Sequence, residues 1–307
     1  MKILNFGSLN LDYTYQVDHF VRPGETESSV SRTLNVGGKG LNQSIAIAKA
    51  GSKVYHAGAV GKEDGALLLN TLKANHVNTD HIRVLDDVAS GNAFIQVDPH
   101  GENCIVLYGG ANRSMTKDFI DEVLSDFSRG DWIVLQNEIN ELAYLIHKAH
   151  ELGMTIVLNP SPMNEVIHTL PLQEVSFLIV NKEEAEELSE HADHPLMELA
   201  SRYPDTKIVM TLGSAGVDYW NGKEVLHHGC YNVKAVDTTG AGDTFTGYFI
   251  SCLMQGYSEP DVLRLASTAS AIAVTRNGAS ASIPEIYEVL SSHLILKYSF
   301  SHNRRSS

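Results

Sequence analysis

No run of the sequence reaches the eighteen or so consecutive apolar residues that a membrane-spanning helix requires, and the opening "MKILNFGSLNLD" turns polar too early for a secretory signal. A cytoplasmic protein with no membrane partner is the expectation. Cysteine is also scarce. Cys104, Cys230 and Cys252 are far apart, odd in number and in no metal-ligand spacing, so they read as buried small apolar residues in a reducing compartment. Basic residues are outnumbered: 23 Lys and Arg stand against 37 Asp and Glu, a net charge of −14. That balance disfavours nonspecific attraction to nucleic acid or anionic lipid, so an anionic ligand must be held by local donors. The chain also lacks internal repeats, low-complexity linkers, a Ser/His/Asp order and a paired-carboxylate pattern.

What is present suits a globular enzyme: 307 residues, 43% hydrophobic and 20% charged, enough for one large domain with an appendage. Short apolar runs ("KILNFG", "KVYHAGAVG", "WIVLQN", "TIVLNP", "FLIVNK", "KIVMTLG") alternate with helical segments ("LNQSIAIAKAG", "GALLLNTLKAN", "ELAYLIHKAHELG", "KEEAEELSEH"). Strands without polar alternation, separated by helices, predict an α/β body with a mostly parallel sheet covered on both faces. Two places break the rhythm. Residues 91–108 read as a hairpin around "DPHGEN", and in "SSVSRTLNV" Val30, Leu34 and Val36 alternate with Ser29, Ser31, Thr33 and Asn35 as in a strand with one wet face. The expected division is a body of residues 1–12, 37–90 and 109–298, a small β lid of residues 13–36 and 91–108, and a disordered tail at 299–307.

Chemistry concentrates in a few glycine-rich places. In "VDTTGAGDTFTGYF", glycines 240 and 242 bracket Ala241 just before Asp243 and a helix. Bare backbone lets a ligand approach, and free amides at a helix start attract anions. The plainer reading is a tight loop whose Asp243 caps the helix. "NVGGKGLNQSIAIAKAG" repeats the device with Gly37, Gly38 and Gly40, followed by Asn42 and Gln43. It is neither a Walker loop nor a dinucleotide loop, because Gly40 follows Lys39 and Gln43 takes the third-glycine position. Close backbone approach plus an amide that donates and accepts suits a polyhydroxyl ligand. In "GSLNLD", Asn10 and Asp12 lie on one side of an extended chain at a strand end, where open α/β sheets bind ligands. In "NKEEAEEL", Asn181 and Glu184 form a capping box, with placement of Mg²⁺ as a possible added role for Glu184.

Taken in order, "GSLNLD", "GGKGLNQ", "GAVGKEDG", "GEN" with "GGAN", "NKEEAEE", "TLGSAG" and "VDTTGAGDTFTGYF" resemble the ribokinase-like, PfkB-type carbohydrate kinase family over roughly residues 3 to 290. The resemblance implies a three-layer fold with an inserted β-sheet lid, and transfer of the ATP γ-phosphoryl group to the 5-hydroxyl of D-ribose. It makes Asp243 the base, with Gly240, Ala241 and Gly242 as anion hole. The sugar would be held by Asn10, Asp12, Gly38, Lys39, Gly40, Asn42 and Glu138, and touched by Asp243 itself. The nucleotide site would take Asn181, Thr211, Gly213, Ser214 and Gly216, together with Gly242 and Ser267. Mg²⁺ is implied as cofactor.

The tail "AIAVTRNGASASIP" resembles the family's monovalent-cation loop, with Asp237, Thr239, Ala273, Arg276, Gly278 and Ser282 as K⁺ ligands, mostly through carbonyl oxygens. Ser267 stands where the family often has His, and Leu41 replaces a usual alanine; Leu41 would either crowd the sugar or enter the core. Two alternatives stay open: a kinase of the same family for another sugar or a nucleoside, and a non-catalytic sugar- or nucleotide-binding regulator. An apolar lid strand with an unprotected edge predicts a homodimer through the lid. At a helix start the Asp243 carboxylate is expected to have a low pKa and to be a weak base.

Overall fold

The computed structural model describes residues 1–297. The predicted tail 299–307 and residue 298 lie outside the described residues. Among them a nine-stranded sheet has the order β13-β12-β11-β10-β9-β8-β1-β4-β5. Its strands are β1 (Ile3–Phe6), β4 (Val54–Gly61), β5 (Asn78–Leu85), β8 (Trp132–Gln136), β9 (Thr155–Asn159), β10 (Phe177–Asn181), β11 (Lys207–Thr211), β12 (Val217–Trp220) and β13 (Val225–His228). All its pairings are parallel except β11–β12 and β12–β13 at one edge, so β12 alone runs against the other strands.

Period-two alternation assigns each side chain to a face. Leu4, Phe6, Ile133, Leu135, Leu178 and Val180 enter one buried cluster, with α3 (Lys117–Leu124), α4 (Leu142–Leu152), α5 (Lys182–Leu188) and α6 (Pro195–Arg202). Ile3, Val134, Val157, Ile179 and Val209 enter the other, with α1 (Lys39–Lys49), α2 (Ala66–Ala74), α7 (Ala241–Met254), α8 (Glu259–Ala273) and α9 (Ile286–Leu290). The result is a three-layer sandwich, as the apolar runs predict. Helices α1 and α7 cross closely because Gly247 has no side chain: a Cβ there would lie 2.8 Å from the Ile47 amide nitrogen.

The lid is a separate four-stranded sheet, in the order β3-β2-β6-β7, made of β2 (Asn10–Gln16), β3 (Ser31–Gly37), β6 (Gly91–Val97) and β7 (Asn103–Tyr108). Strand β2 already pairs at Asn10, opposite Gly37 and Gly91, so the predicted boundaries at 12/13 and 36/37 cut through hydrogen-bonded strands. The sugar-site candidates Asn10 and Asp12 are therefore lid residues.

Among the described residues the dry face expected for β3 is only partly covered, Val36 packing against the buried core. Val30 precedes the strand and is 82% exposed, while Leu34 is 42% exposed. Leu34, Tyr13, Phe94 and Val106 are cross-strand partners in a row, and Phe94 and Val106 are exposed as well. Cys104 is also exposed on β7. Of the three cysteines only Cys252 is buried, contrary to the expectation for all three.

Candidate active site

The site is built where the start of α7 meets the start of α1. Gly240 takes a left-handed conformation with φ 74°, and no side chain caps the first turn of α7. A Cβ on Gly240 would come within 3.1 Å of the Ala279 Cα, so the 275–282 loop packs against this turn. The Ala241 amide donates to the Thr238 carbonyl at 3.2 Å. Asp243, only 8% exposed, does not cap the helix. Its Oδ2 accepts from Asn42 Nδ2 at 3.0 Å and its Oδ1 from Gln43 Nε2 at 2.9 Å. The capping reading is thereby replaced by a buried carboxylate presented between two helices.

The low pKa expected for Asp243 is corrected as well. Burial raises it above the ordinary carboxylate range, outweighing the Lys39 ammonium and the two amide donors, and Glu138 adds to the rise. Desolvation acts on the whole carboxylate, whereas the helix-end amides reach only what they face.

The sugar-site candidates gather around the β1–β2 turn and the start of α1. Gly38, with φ 91°, lets the chain turn from β3 into α1. Gly40 allows α1 to touch the end of β1, since a Cβ there would sit 2.6 Å from the Gly7 carbonyl carbon and 2.7 Å from the Ser8 oxygen. The Leu41 amide donates to that Ser8 oxygen at 3.0 Å. Leu41 itself is fully buried in the core, which settles its direction away from a ligand.

Glu138 Oε2 accepts from the Lys39 amide at 2.8 Å and from the Ser8 hydroxyl. The Asp12 carboxyl is pushed up to about 7 by burial and then by the charge of Glu138, so these two carboxylates face one pocket of space. Asn112, in the "GGAN" segment, donates Nδ2 to Asn10 Oδ1 at 2.7 Å while its Oδ1 accepts from the Leu9 amide. That contact occupies the Asn10 acceptor and leaves its amide nitrogen to face a ligand. Asn42 Oδ1 is buried with no partner, an acceptor that a hydroxyl donor would satisfy.

Two cavities adjoin this cluster. The larger, of about 380 Å³, is lined by the predicted nucleotide residues Thr211, Gly213, Ser214, Gly216, Gly242 and Ser267. The smaller, of about 160 Å³, is lined by Lys39, Asn181, Glu184, Gly240 and Asp243. They share Thr211, Thr238, Ala241 and Gly242, so the uncapped start of α7 faces both. Neither cavity is lined by Asn10 or Asp12. The Lys39 side chain thus borders the smaller cavity, although only its backbone bonds Glu138.

Asn181 and Glu184 form the predicted capping box, at 2.7 and 2.9 Å, and Glu184 is nearly buried on the cavity wall. A carboxylate beside amides and hydroxyls fits a hydrated divalent cation.

In the predicted cation loop, burial alone would raise Asp237, but the Thr239 hydroxyl and amide and the Gly278 amide hold its pKa below the usual range. A fixed anion among backbone carbonyls fits a monovalent cation. The Arg276 guanidinium is engaged by Glu288 at 2.5 Å, leaving only its carbonyl for such a role, and the Ser282 hydroxyl donates to Ala279. The compact His/carboxylate group His19, Glu25 and Glu27 lies on the β2–β3 loop and lines neither cavity.

Several contributing residues were not singled out from sequence: Ser8, Asn112, Asn5 and Gln136. The last two carry a signal. An amide inside an otherwise apolar, doubly covered strand ("ILNF", "WIVLQ") is costly unless it is hydrogen-bonded, so it marks a buried network.

Comparison with known proteins gives the family. The sequence matches the pfkB family carbohydrate kinase over residues 1–286. It is 35% identical over 296 residues to a ribokinase of Haemophilus influenzae, covering 92% of this chain and 95% of that one. The crystal structure of a Cryptococcus neoformans ribokinase in complex with ADP superposes with a TM-score of 0.84 at 34% identity, covering 94% and 98% of the two chains. An Arabidopsis thaliana ribokinase complexed with ribose and ATP gives 0.84 at 26%, covering 94% and 97%. With the family pattern matched along nearly its whole length and the expected three-layer fold in place, the chain belongs to the pfkB family of carbohydrate kinases.

Proposed function

We propose that the protein transfers the γ-phosphoryl group of ATP to the 5-hydroxyl of D-ribose. The observation that carries this is the buried Asp243 carboxylate, held by Asn42 and Gln43 at the point where a polar, lid-covered cluster meets the uncapped start of α7. Asn10, Asp12, Gly38, Lys39, Gly40, Asn42 and Glu138 form the sugar site, and the α7 turn brings the phosphoryl group alongside. The sugar oxygen attacks phosphorus as its proton passes to Asp243, and ADP leaves. In a loose transition state charge gathers on the phosphoryl oxygens, and the amides of Gly240 and Gly242 stabilise it, joined by that of Ala241 as it turns from the Thr238 carbonyl. Closure of the lid excludes water, which would otherwise compete as acceptor.

The adenosine part fits the larger cavity, with Ser267 on its wall. Glu184 and Asn181 would hold Mg²⁺, which neutralises charge on the triphosphate. The loop holding Asp237, Thr239, Ala273, Arg276, Gly278 and Ser282 would hold K⁺, whose field orders the backbone next to Gly240. The exposed apolar row Leu34, Phe94 and Val106 supports pairing of two lids in a homodimer. No helix among the described residues is long and apolar enough to cross a membrane.

An ATP-consumption screen over D-ribose, 2-deoxyribose, fructose, ketodeoxygluconate and nucleosides tests the activity, with Mg²⁺ and with K⁺, Na⁺ or a large organic cation. Ribose should give the highest kcat/KM, and K⁺ should raise it. Turnover on a nucleoside or hexose but not ribose sinks the substrate; equal rates in the organic cation sink the K⁺ loop. Light scattering of the same preparation should give twice the chain mass, and a monomer removes the lid pairing.

Asp12 adds a pH signature. With its carboxyl near 7 in the free protein, about half the molecules carry a proton there at neutral pH. Accepting sugar hydroxyls favours the charged form, so sugar binding should release protons around pH 7 and weaken as pH falls below it. Calorimetry in buffers of different ionisation enthalpy measures this. Binding without proton release, or the same release in Asp12→Asn, overturns it.

A further inference from the structure

A line of buried amides runs from Asp243 into the centre of the large sheet, and every amide in it has its orientation fixed. At the inner end Asn5 Nδ2 donates to the Gly40 carbonyl at 2.7 Å and to Ser44 Oγ at 2.8 Å. A carbonyl can only accept, so Asn5 Oδ1 must point the other way, toward Gln136. Gln136 Nε2 donates to Asn5 Oδ1 at 2.9 Å and to Gln43 Oε1 at 2.8 Å. With its oxygen so engaged, Gln43 can offer Asp243 only its N–H groups, and it does so at 2.9 Å. Asn5, Gln43 and Gln136 are fully buried.

Reversing Asn5 or Gln43 would set oxygen against oxygen on one side and nitrogen against nitrogen on the other, and reversing Gln136 would set its oxygen against those of both Asn5 and Gln43. In a site without water each mismatch leaves desolvated groups unpaired. The price of the arrangement is visible: Gln136 Oε1 is buried with no partner at all. A core selected for stability alone would fill this space with apolar side chains.

We infer that Gln43, Gln136 and Asn5 form a positioning chain for the reaction, which locks an N–H donor onto one oxygen of Asp243 and so fixes both the direction and the basicity of that carboxylate. This rests on the reading of Asp243 as the base. Gln43 is the contact; Gln136 and Asn5 act through it and touch no substrate. The charged groups facing Asp243 are Lys39 at the start of α1 and Glu138 after β8, with Glu184 of α5 lining the same cavity. None of them belongs to the chain, so its loss changes the carboxylate without removing a charge.

The sign follows from the donor. Gln43 stabilises the ionised form, and burial opposes it. Loss of the donor therefore raises the Asp243 pKa, and the acid limb of the kcat profile moves to higher pH.

The test uses Gln136→Met, which leaves Gln43 in place but unanchored, and Gln43→Met, which removes the donor; Met approximates the lost volume in both. Carboxyl ¹³C NMR titration follows Asp243, its resonance assigned by its absence in Asp243→Asn, alongside kinetics and a melting curve. Both variants should raise the Asp243 midpoint by about one pH unit and lower kcat about tenfold, with sugar KM within about twofold. A lowered melting temperature with an unmoved titration and acid limb, or a loss carried by KM, overturns the positioning role. If the titration moves as expected while Asp243→Asn retains wild-type turnover, the chain does set the carboxylate and the base assignment is what fails.

Discussion

Asp243→Asn should lower kcat by roughly 10²–10⁴, the usual size of a general-base contribution, with sugar and ATP affinity nearly unchanged. The substitution keeps the shape and removes the charge. On the proposed reading Asn10, Asp12 and Asn42 still hold the sugar, and the backbone at residues 240–242 is untouched because no Asp243 bond caps the helix. The new amide also meets two amide donors, Asn42 Nδ2 and Gln43 Nε2, and has one oxygen to offer them. Part of the loss will therefore come from misorientation. Coupled-assay kcat and calorimetric sugar affinity on one preparation measure both sides. Near-wild-type turnover would return Asp243 to a structural role, and a collapse of sugar binding would show that its charge holds substrate.

Gly40→Ala should cost about 10² in kcat/KM, although it adds one methyl group and removes no functional side chain. The added carbon would lie 2.6 and 2.7 Å from the Gly7 carbonyl carbon and the Ser8 oxygen, both of them backbone atoms that cannot swing aside. The start of α1 must withdraw from β1. That breaks the Leu41 amide bond to Ser8, and it carries Asn42 and Gln43 away from Asp243. A displacement of about an ångström in catalytic groups suffices for a loss of this size. Gly242→Ala is the comparison, because a Cβ there meets nothing within 4 Å; any loss in that variant must come from the cavity it would enter. Gly40→Ala with wild-type kcat/KM would show that the helix start can shift freely.

The body was legible because its strands are short runs without polar alternation and its helices have regular spacing, features set by burial on both faces of one sheet. Lid boundaries were less so: β2 continues without a break in character from the ligand-bearing "NLD" into "YTYQ", and pairing, not composition, decides where the small sheet begins. The position of Gly240, Gly242 and Asp243 at a helix start was readable from the motif. The ionisation of Asp243 was not, since sequence places it at a helix start but says nothing of the desolvation created by α1 packing across it. Asn5 and Gln136 were missed for a related reason. Each is a single polar residue in an apolar strand, and only the fold brings the two side by side with Gln43.

The two faces of the ligand cluster differ in how freely they can change over evolutionary time. Along the seam of α1, β1 and α7, Gly40 and Gly247 leave no room for a side chain, and Leu41 is locked in the core between ligand-facing neighbours. A substitution there disturbs chemistry and folding together. The opposite wall is β2 with its lid partners, and every residue of β7 is exposed. Replacements on β7 away from its apolar row usually cost under about half a kcal/mol, so the outer lid strand can change while the seam stays fixed. Sequence divergence on this frame should therefore collect in β7 before it reaches the buried Asn10 of β2.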